Sequence, residues 1–178
     1  MTRRFLGLPA LILALQLAAH GDEKAGKLPP APANAAFETM KKLAGTWMVA
    51  AADGKATDQV ASIIKVTAGG SVVHETLFPG QPHEMVSVYA LDGGDLVMTH
   101  YCVLGNQPRM KADRDSSADQ IHFQFAGGSN LDPAKDKHMH EGTITFLDDD
   151  HIEYSGICWE GGHPAKGPGC KMKLVRKK

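Results

Sequence analysis

The sharpest chemical feature of the sequence is the tripeptide His138-Met139-His140. If this segment is a β-strand, its two histidines share one face and lie roughly 7 Å apart, because side chains alternate along a strand. His100 follows a similar alternation in another apolar segment. A site formed by His100, His138 and His140 would suit zinc, copper or a haem iron. The alternative is that the two paired histidines lie at an exposed strand start and are solvated.

Three cysteines raise the question of a disulfide. Cys158 and Cys170 flank a loop rich in glycine and proline, so they face each other if the flanking segments pair as a hairpin. A bridge between them is expected in an exported chain. Metal binding by both cysteines together with His163 is the alternative. For Cys102 we expect a small, buried, apolar residue.

Two arginines are candidates for ligand contacts. Arg109 follows a tight turn, and its planar guanidinium could bind a carboxylate or phosphate through two hydrogen bonds. The alternative is that it pairs with a nearby acidic side chain. Arg114 shares the alternation of Met110 and Ala112, which predicts an inward-facing charge. Such a charge needs an ion pair or a ligand to offset its burial.

Nothing in the sequence matches a familiar catalytic motif. The chain has no Gly-x-Ser-x-Gly, no His-Glu-x-x-His and no phosphate-binding loop. The dipeptides His74-Glu75 and His83-Glu84 could supply acid–base pairs, but adjacent strand residues point to opposite faces. We therefore assign no catalytic residue and leave the cofactor open, and an enzyme is the less favoured class.

These residues lie in short segments with a period of two, separated by turn residues such as Asp-Gly and Gly-Gly. A helix over 34–43 precedes them, with Asn34 as its N-cap and Gly45 after its end. We predict strands near 45–52, 57–68, 71–78, 83–91, 95–104, 109–115, 120–126, 138–147, 151–159 and 170–176.

About ten regularly spaced strands joined by tight turns indicate an antiparallel meander. Closure of the sheet removes its unpaired edges, so we predict an all-β, up-and-down β-barrel with one short N-terminal helix. A two-sheet sandwich is the structural alternative. Small barrels are sometimes filled by side chains and then bind nothing. The residues expected at the interior or mouth, and so to contact a ligand, are Trp47, Tyr89, Met98, His100, Arg109, Arg114, Phe123 and Phe146.

The N-terminal segment has the order of a secretory signal peptide. Arg3 and Arg4 precede the apolar run 5–19, and Ala19-His20-Gly21 places small residues where a signal peptidase reads them. The run is shorter than the roughly 20 residues that span a bilayer. We predict a signal peptide over 1–21, a proline-rich linker over 22–33 and one domain over 34–178. The mature protein is then periplasmic or extracellular.

The start of the first strand carries a resemblance. Leu43-Ala44-Gly45-Thr46-Trp47 contains the Gly-x-Trp that opens lipocalins and their calycin relatives, whose tryptophan closes one barrel end. Roughly residues 35–178 resemble a bacterial family of exported lipocalin-like proteins with no established activity. The resemblance implies the barrel and export, and it transfers no catalytic residue. The other segments that carry it are Thr67-Ala68-Gly69-Gly70-Ser71, His74-Glu75-Thr76-Leu77-Phe78-Pro79-Gly80, His83-Glu84-Met85-Val86, and the segment from His100-Tyr101-Cys102 to Gly105-Asn106-Gln107-Pro108-Arg109-Met110.

Charge and composition exclude some function classes. The 19 basic and 20 acidic residues are nearly balanced, and no basic cluster with aromatic residues indicates nucleic acid. No second long apolar segment indicates a membrane span. The sequence therefore favours an exported binding module for a small, partly apolar ligand. The alternatives are a metal- or haem-binding barrel, a calycin-type enzyme, and a structural or partner-binding envelope protein; the oligomeric state stays open.

Overall fold

The hydrophobic period changes at Gly45, and this change separates a short helix from a series of strands. The computed structural model describes residues 33–114 and 119–178. It contains one α-helix, α1 (Ala35–Lys42). The strands are β1 (Gly45–Ala50), β2 (Ala56–Thr67), β3 (Val72–Leu77), β4 (Met85–Asp92), β5 (Asp95–Tyr101), β6 (Gln107–Ala112), β7 (Gln120–Ser129), β8 (His138–Phe146), β9 (His151–Glu160), β10 (His163–Pro164) and β11 (Cys170–Arg176).

The sheet closes on itself. Each strand from β1 to β9 is antiparallel to the next along the chain, and β11 lies between β9 and β1. The pairing of β8 with β9 completes a ring of ten strands, while β10 adds only a two-residue pairing to β9. The predicted all-β, up-and-down barrel of about ten strands with one short helix is confirmed.

Helix α1 begins where Asn34 caps it. The Asn34 side chain accepts a hydrogen bond from the backbone N–H of Phe37 at 2.9 Å, and its amide donates to the carbonyl of Gly94 at 2.8 Å. The cap therefore also ties the helix to the turn between β4 and β5. Phe37 and Met40 are fully buried and belong to the same apolar core as the barrel interior.

Trp47 anchors the core beside the helix end. It is completely buried, and its indole N–H donates to the carbonyl of Leu43 at 2.8 Å. The guanidinium of Arg176 lies 4.4 Å from the Trp47 ring centroid and donates to the carbonyls of Lys42 and Ala44. These contacts link β11 to the C-terminal end of α1.

The predicted strand bounds agree with the structure to within three residues. The largest differences, of three residues, are at the ends of β5, β6 and β7. At the end of β5 the N–H of Cys102 donates to the carbonyl of Asn106 and the chain turns there. The predicted signal peptide and nearly all of the predicted linker lie outside the described residues. Within the described ranges, no helix is long and apolar enough to cross a membrane.

Candidate ligand-binding site

A cavity of about 470 Å³, partly open to solvent, lies within the barrel. Residues of β3, β4, β5, β7, β8, β9 and β11 line it, together with neighbouring loop residues. Most of the lining is apolar, and four of the eight methionines of the chain contribute to it. The apolar lining residues are Leu77, Phe78, Met85, Met98, Phe123, Met139, Ile144 and Met172.

One wall of this cavity carries a row of polar side chains. Glu75 on β3 is paired with Ser87 on β4, and Ser87 is paired with His100 on β5. Residues directly opposite each other on neighbouring strands point to the same face, so all three face the interior. Each is at most 2% exposed. We call Glu75, Ser87 and His100 the polar row.

The carboxylate of Glu75 is held by three hydroxyl groups. Ser62 and Tyr154 donate to its Oε1 at 2.6 and 2.9 Å, and Tyr89 donates to its Oε2 at 2.7 Å. Burial raises the pKa of Glu75, and the three hydroxyl donors with the neighbouring His74 partly offset that effect. A carboxylate has about four acceptor positions. One position on Oε2 is therefore left for a further donor.

His100 offers a second polar atom to the cavity. Its Nδ1 lies 3.0 Å from the hydroxyl of Ser87. Burial lowers the pKa of His100 to about 4, so the ring is neutral at neutral pH. Among the described residues its Nε2 has no hydrogen-bond partner, and His100 lines the cavity. A neutral imidazole either donates or accepts at this atom, depending on its tautomer.

A second row of paired residues, two of them glycines, crosses four other strands of the barrel. Phe123, Gly142, Gly156 and Cys170 are paired in succession across β7, β8, β9 and β11. A Cβ added at Gly142 would lie 3.7 Å from the terminal methyl of Met110, which is an ordinary contact. A Cβ at Gly156 would lie only 2.8 Å from the sulfur of Cys170. Of these two glycines Gly142 lines the cavity, and the absence of a side chain there leaves space beside the paired Phe123.

Four of the eight predicted ligand-contact residues line the cavity, namely Tyr89, Met98, His100 and Phe123. Trp47 belongs to the solid core beside α1, and Phe146 packs against that core while half-buried. The aromatic rings of Tyr89 and Phe123 lie 5.8 Å apart, centroid to centroid. The sequence predicted these four lining residues because the alternation of side chains along a strand shows which of them face the buried side of the sheet.

The two arginines do not reach the interior. Arg109 is exposed and pairs with Asp92, which is the alternative that the sequence left open. Arg114 pairs with Asp95 at 3.2 Å, and its side chain is 82% exposed. The prediction of an inward charge at Arg114 is wrong because β6 ends at Ala112, and the alternation of the strand ends with it.

His100 does not join the other two histidines. His138 and His140 contact each other, with 3.0 Å between Nε2 and Nδ1, and His140 stacks on Trp159 at 3.8 Å between centroids. A register shift between Met139 and Glu141 changes the alternation, so Met139 lines the cavity instead of the histidines. No group of three or more His, Cys, Asp or Glu within 33–114 and 119–178 is arranged to hold a metal ion.

The predicted disulfide between Cys158 and Cys170 is not formed, and all three cysteines are free. The two segments do not pair as one simple hairpin, because Cys170 lies opposite Gly156 and the chain after Cys158 folds back as β10. Burial raises the pKa of the thiols of Cys158 and Cys170. Both are therefore protonated and weakly nucleophilic at neutral pH. Cys102 is only partly buried.

Three residues that line the cavity were not predicted from the sequence, namely Glu75, Ser87 and Tyr154. A usable signal was present for Glu75, because Val73 and Leu77 share its alternation and are buried with it. A charged residue on an otherwise apolar strand face marks either a structural network or a site. Its partner Tyr154 is 79 residues away in the chain, so no local pattern connects the two.

No protein-family model matches the chain, and no curated protein is significantly similar to it. The closed antiparallel barrel is compatible with the calycin-like fold that the Gly-x-Trp opening implies.

Proposed function

We propose that this protein is an exported barrel that binds one small molecule, with an apolar body and one polar group, in the interior cavity. The observation that carries this proposal is the cavity of about 470 Å³ with apolar walls and the polar row on one side. Ligand sites in proteins share this composition, in which a few placed polar groups orient a ligand within apolar surroundings.

The size of the cavity limits the ligand. Sites for small molecules have volumes of about 300–1,000 Å³, and 470 Å³ lies in the lower half of that range. At about 30 Å³ for each water-sized group, the cavity holds a ligand on the order of 15 non-hydrogen atoms. The methionine side chains favour such a role because their flexible thioethers adapt to irregular apolar shapes.

A large side chain introduced at Gly142 should fill the cavity with little change to the rest of the barrel. Its backbone is not in the left-handed region, and a Cβ there meets only ordinary contacts. We expect Gly142→Phe to occupy the space beside Phe123 and to weaken binding of phenylbutanol at least tenfold in isothermal titration calorimetry. Gly142→Ala is the matched control and should retain binding within about threefold.

Two results would contradict the proposal of a binding cavity. One is that the wild-type protein shows no binding of phenylbutanol or of any similar neutral apolar probe. The other is that folded Gly142→Phe binds phenylbutanol as well as Gly142→Ala does, because the probe would then occupy another part of the protein. Circular dichroism of each variant establishes that the barrel is intact.

Export is supported by the order of charged, apolar and small residues over 1–21. The test is expression of the full chain in a bacterium, followed by cell fractionation and intact mass measurement. We expect a periplasmic or secreted protein that begins near Asp22. Full-length protein that stays in the cytoplasm with its first 21 residues attached would refute export without affecting the cavity.

A further inference from the structure

Glu75 is a buried carboxylate that has no lysine or arginine paired with it in the part of the chain that the structure describes. Its hydrogen-bond partners among residues 33–114 and 119–178 are the three hydroxyl groups of Ser62, Tyr89 and Tyr154. Lys171 also lines the cavity, but its ammonium is paired with Glu153 at 2.9 Å and its side chain is 65% exposed. No lysine or arginine among the described residues forms an ion pair with Glu75. A buried charge in this situation is costly unless a counter-charge is supplied.

The surroundings of Glu75 are suited to a cation that enters from the cavity. One acceptor position remains on Oε2, which so far accepts only from Tyr89. Aromatic rings of Tyr89, Tyr154 and Phe123 line the same space. Aromatic faces attract ammonium groups, and more strongly where water is excluded. A ligand cation at this position would therefore meet a carboxylate and aromatic rings together.

His100 is compatible with a cation and adds an acceptor. The imidazole is two strands away in the polar row and is neutral at neutral pH, so it does not repel a positive charge. When the proton of the ring is on Nδ1 and donates to Ser87, Nε2 accepts a hydrogen bond from the cavity. The polar row then presents two acceptor atoms to the cavity. A ligand carboxylate would instead be repelled by Glu75.

We infer that the ligand is an organic amine, bound as an ammonium ion whose N–H groups donate to Oε2 of Glu75 and Nε2 of His100 while its apolar body contacts the methionine and aromatic side chains. The inference rests on the proposed binding function and specifies its ligand class. A neutral alcohol fits the same space but supplies one donor and no charge.

The test compares three ligands with one apolar body. Phenylbutylamine, phenylbutanol and phenylbutyrate are titrated into the wild-type protein by calorimetry at neutral pH. We expect the amine to bind at least tenfold more tightly than the alcohol, and the carboxylate to bind most weakly. Glu75→Gln keeps the shape of the side chain and should remove the advantage of the amine while the affinity for the alcohol stays within threefold. Glu160→Gln removes an exposed carboxylate from β9 and should change neither affinity.

A further titration uses only the wild-type protein, so it tests the inference even if Glu75→Gln fails to fold. Phenylbutyl-trimethylammonium carries the charge but has no N–H donor, and we expect it to bind at least fivefold more weakly than phenylbutylamine. Equal affinities for amine and alcohol in the wild-type protein would overturn the inference and leave the binding cavity standing. An amine preference that survives in folded Glu75→Gln would overturn it as well. Failure of all of these probes, including the alcohol, would instead contradict the proposed binding function.

Discussion

Protonation of His100 should destabilise the barrel in mild acid. The imidazole is 2% exposed, its Nδ1 contacts Ser87, and burial lowers its pKa from 6.5 to about 4. In the unfolded chain the same ring is protonated below its ordinary pKa. The unfolded state therefore binds more protons than the native state between these two values, and stability falls as the pH falls.

The size of this effect follows from the two pKa values. Each tenfold change in proton affinity corresponds to about 1.4 kcal/mol. The difference between 6.5 and about 4 therefore amounts to about 3 kcal/mol of folding free energy, present above the ordinary pKa and lost as the pH approaches the lower value. This is a substantial part of the roughly 5–15 kcal/mol by which domains are stable.

Other groups titrate in the same window, so the measurement has to be a difference. Burial also lowers the pKa of His140, while the raised pKa of Glu75 acts in the opposite direction and makes the native state more stable as the pH falls. Urea unfolding of the wild-type protein and of His100→Gln, at intervals between about pH 7 and pH 4, isolates the contribution of His100. His163→Gln replaces an exposed histidine of β10 and is the matched control.

We expect the stability of the wild-type protein to fall relative to that of His100→Gln by about 3 kcal/mol across this range. The curve for His163→Gln should run parallel to that of the wild-type protein. Parallel curves for the wild-type protein and His100→Gln would refute the reasoning, because they would show that His100 binds protons equally in the folded and unfolded states. A cavity open enough to hydrate the imidazole would produce that result.

Three further predictions concern the barrel wall, its helix and its thiols. Gly156→Ala should cost about 1–3 kcal/mol in urea unfolding, since its Cβ meets the sulfur of Cys170 at 2.8 Å; if Cys170→Ala restores none of this loss, the contact is not the cause. Arg176→Met should cost about 1–3 kcal/mol through loss of hydrogen bonds to two carbonyls at the end of α1, and an unchanged unfolding midpoint would contradict this. Protein denatured without reductant should titrate as three thiols with a thiol reagent, whereas a value of one would indicate a bridge.

The sequence predicted most of the fold because the fold depends on local patterns. Alternation of apolar residues and the positions of turn residues located ten strands and one helix, and Asn34 was correctly identified as the N-cap. The errors in predicting which side chains face inward arose where a strand ended or where its register shifted. The end of β6 released Arg114 to solvent, and the shift beside His140 moved the two histidines off the inward alternation. Neither event leaves a strong mark in the local sequence.

The candidate site was harder to predict because its network is formed across the barrel. Tyr154 reaches Glu75 from β9, and a partner so distant in sequence is fixed only when the sheet closes. Glu75 itself was accessible to prediction, since it is a charged residue between two buried apolar positions of β3. Gly142 of β8 carried no sign that the absence of its side chain would widen a cavity.

The division of the interior into a filled part and an open part follows from where large and small residues fall along the strands. Trp47, Phe37 and Met40 are fully buried in the core beside α1, and such packing contributes to stability. Around the cavity, the chain instead places Gly142 and buries Glu75, which weakens packing and raises the cost of desolvation. A barrel selected for stability alone would fill this space with apolar side chains, as small barrels do. In the proposed function, an occupant supplies the contacts and the counter-charge that this open part lacks.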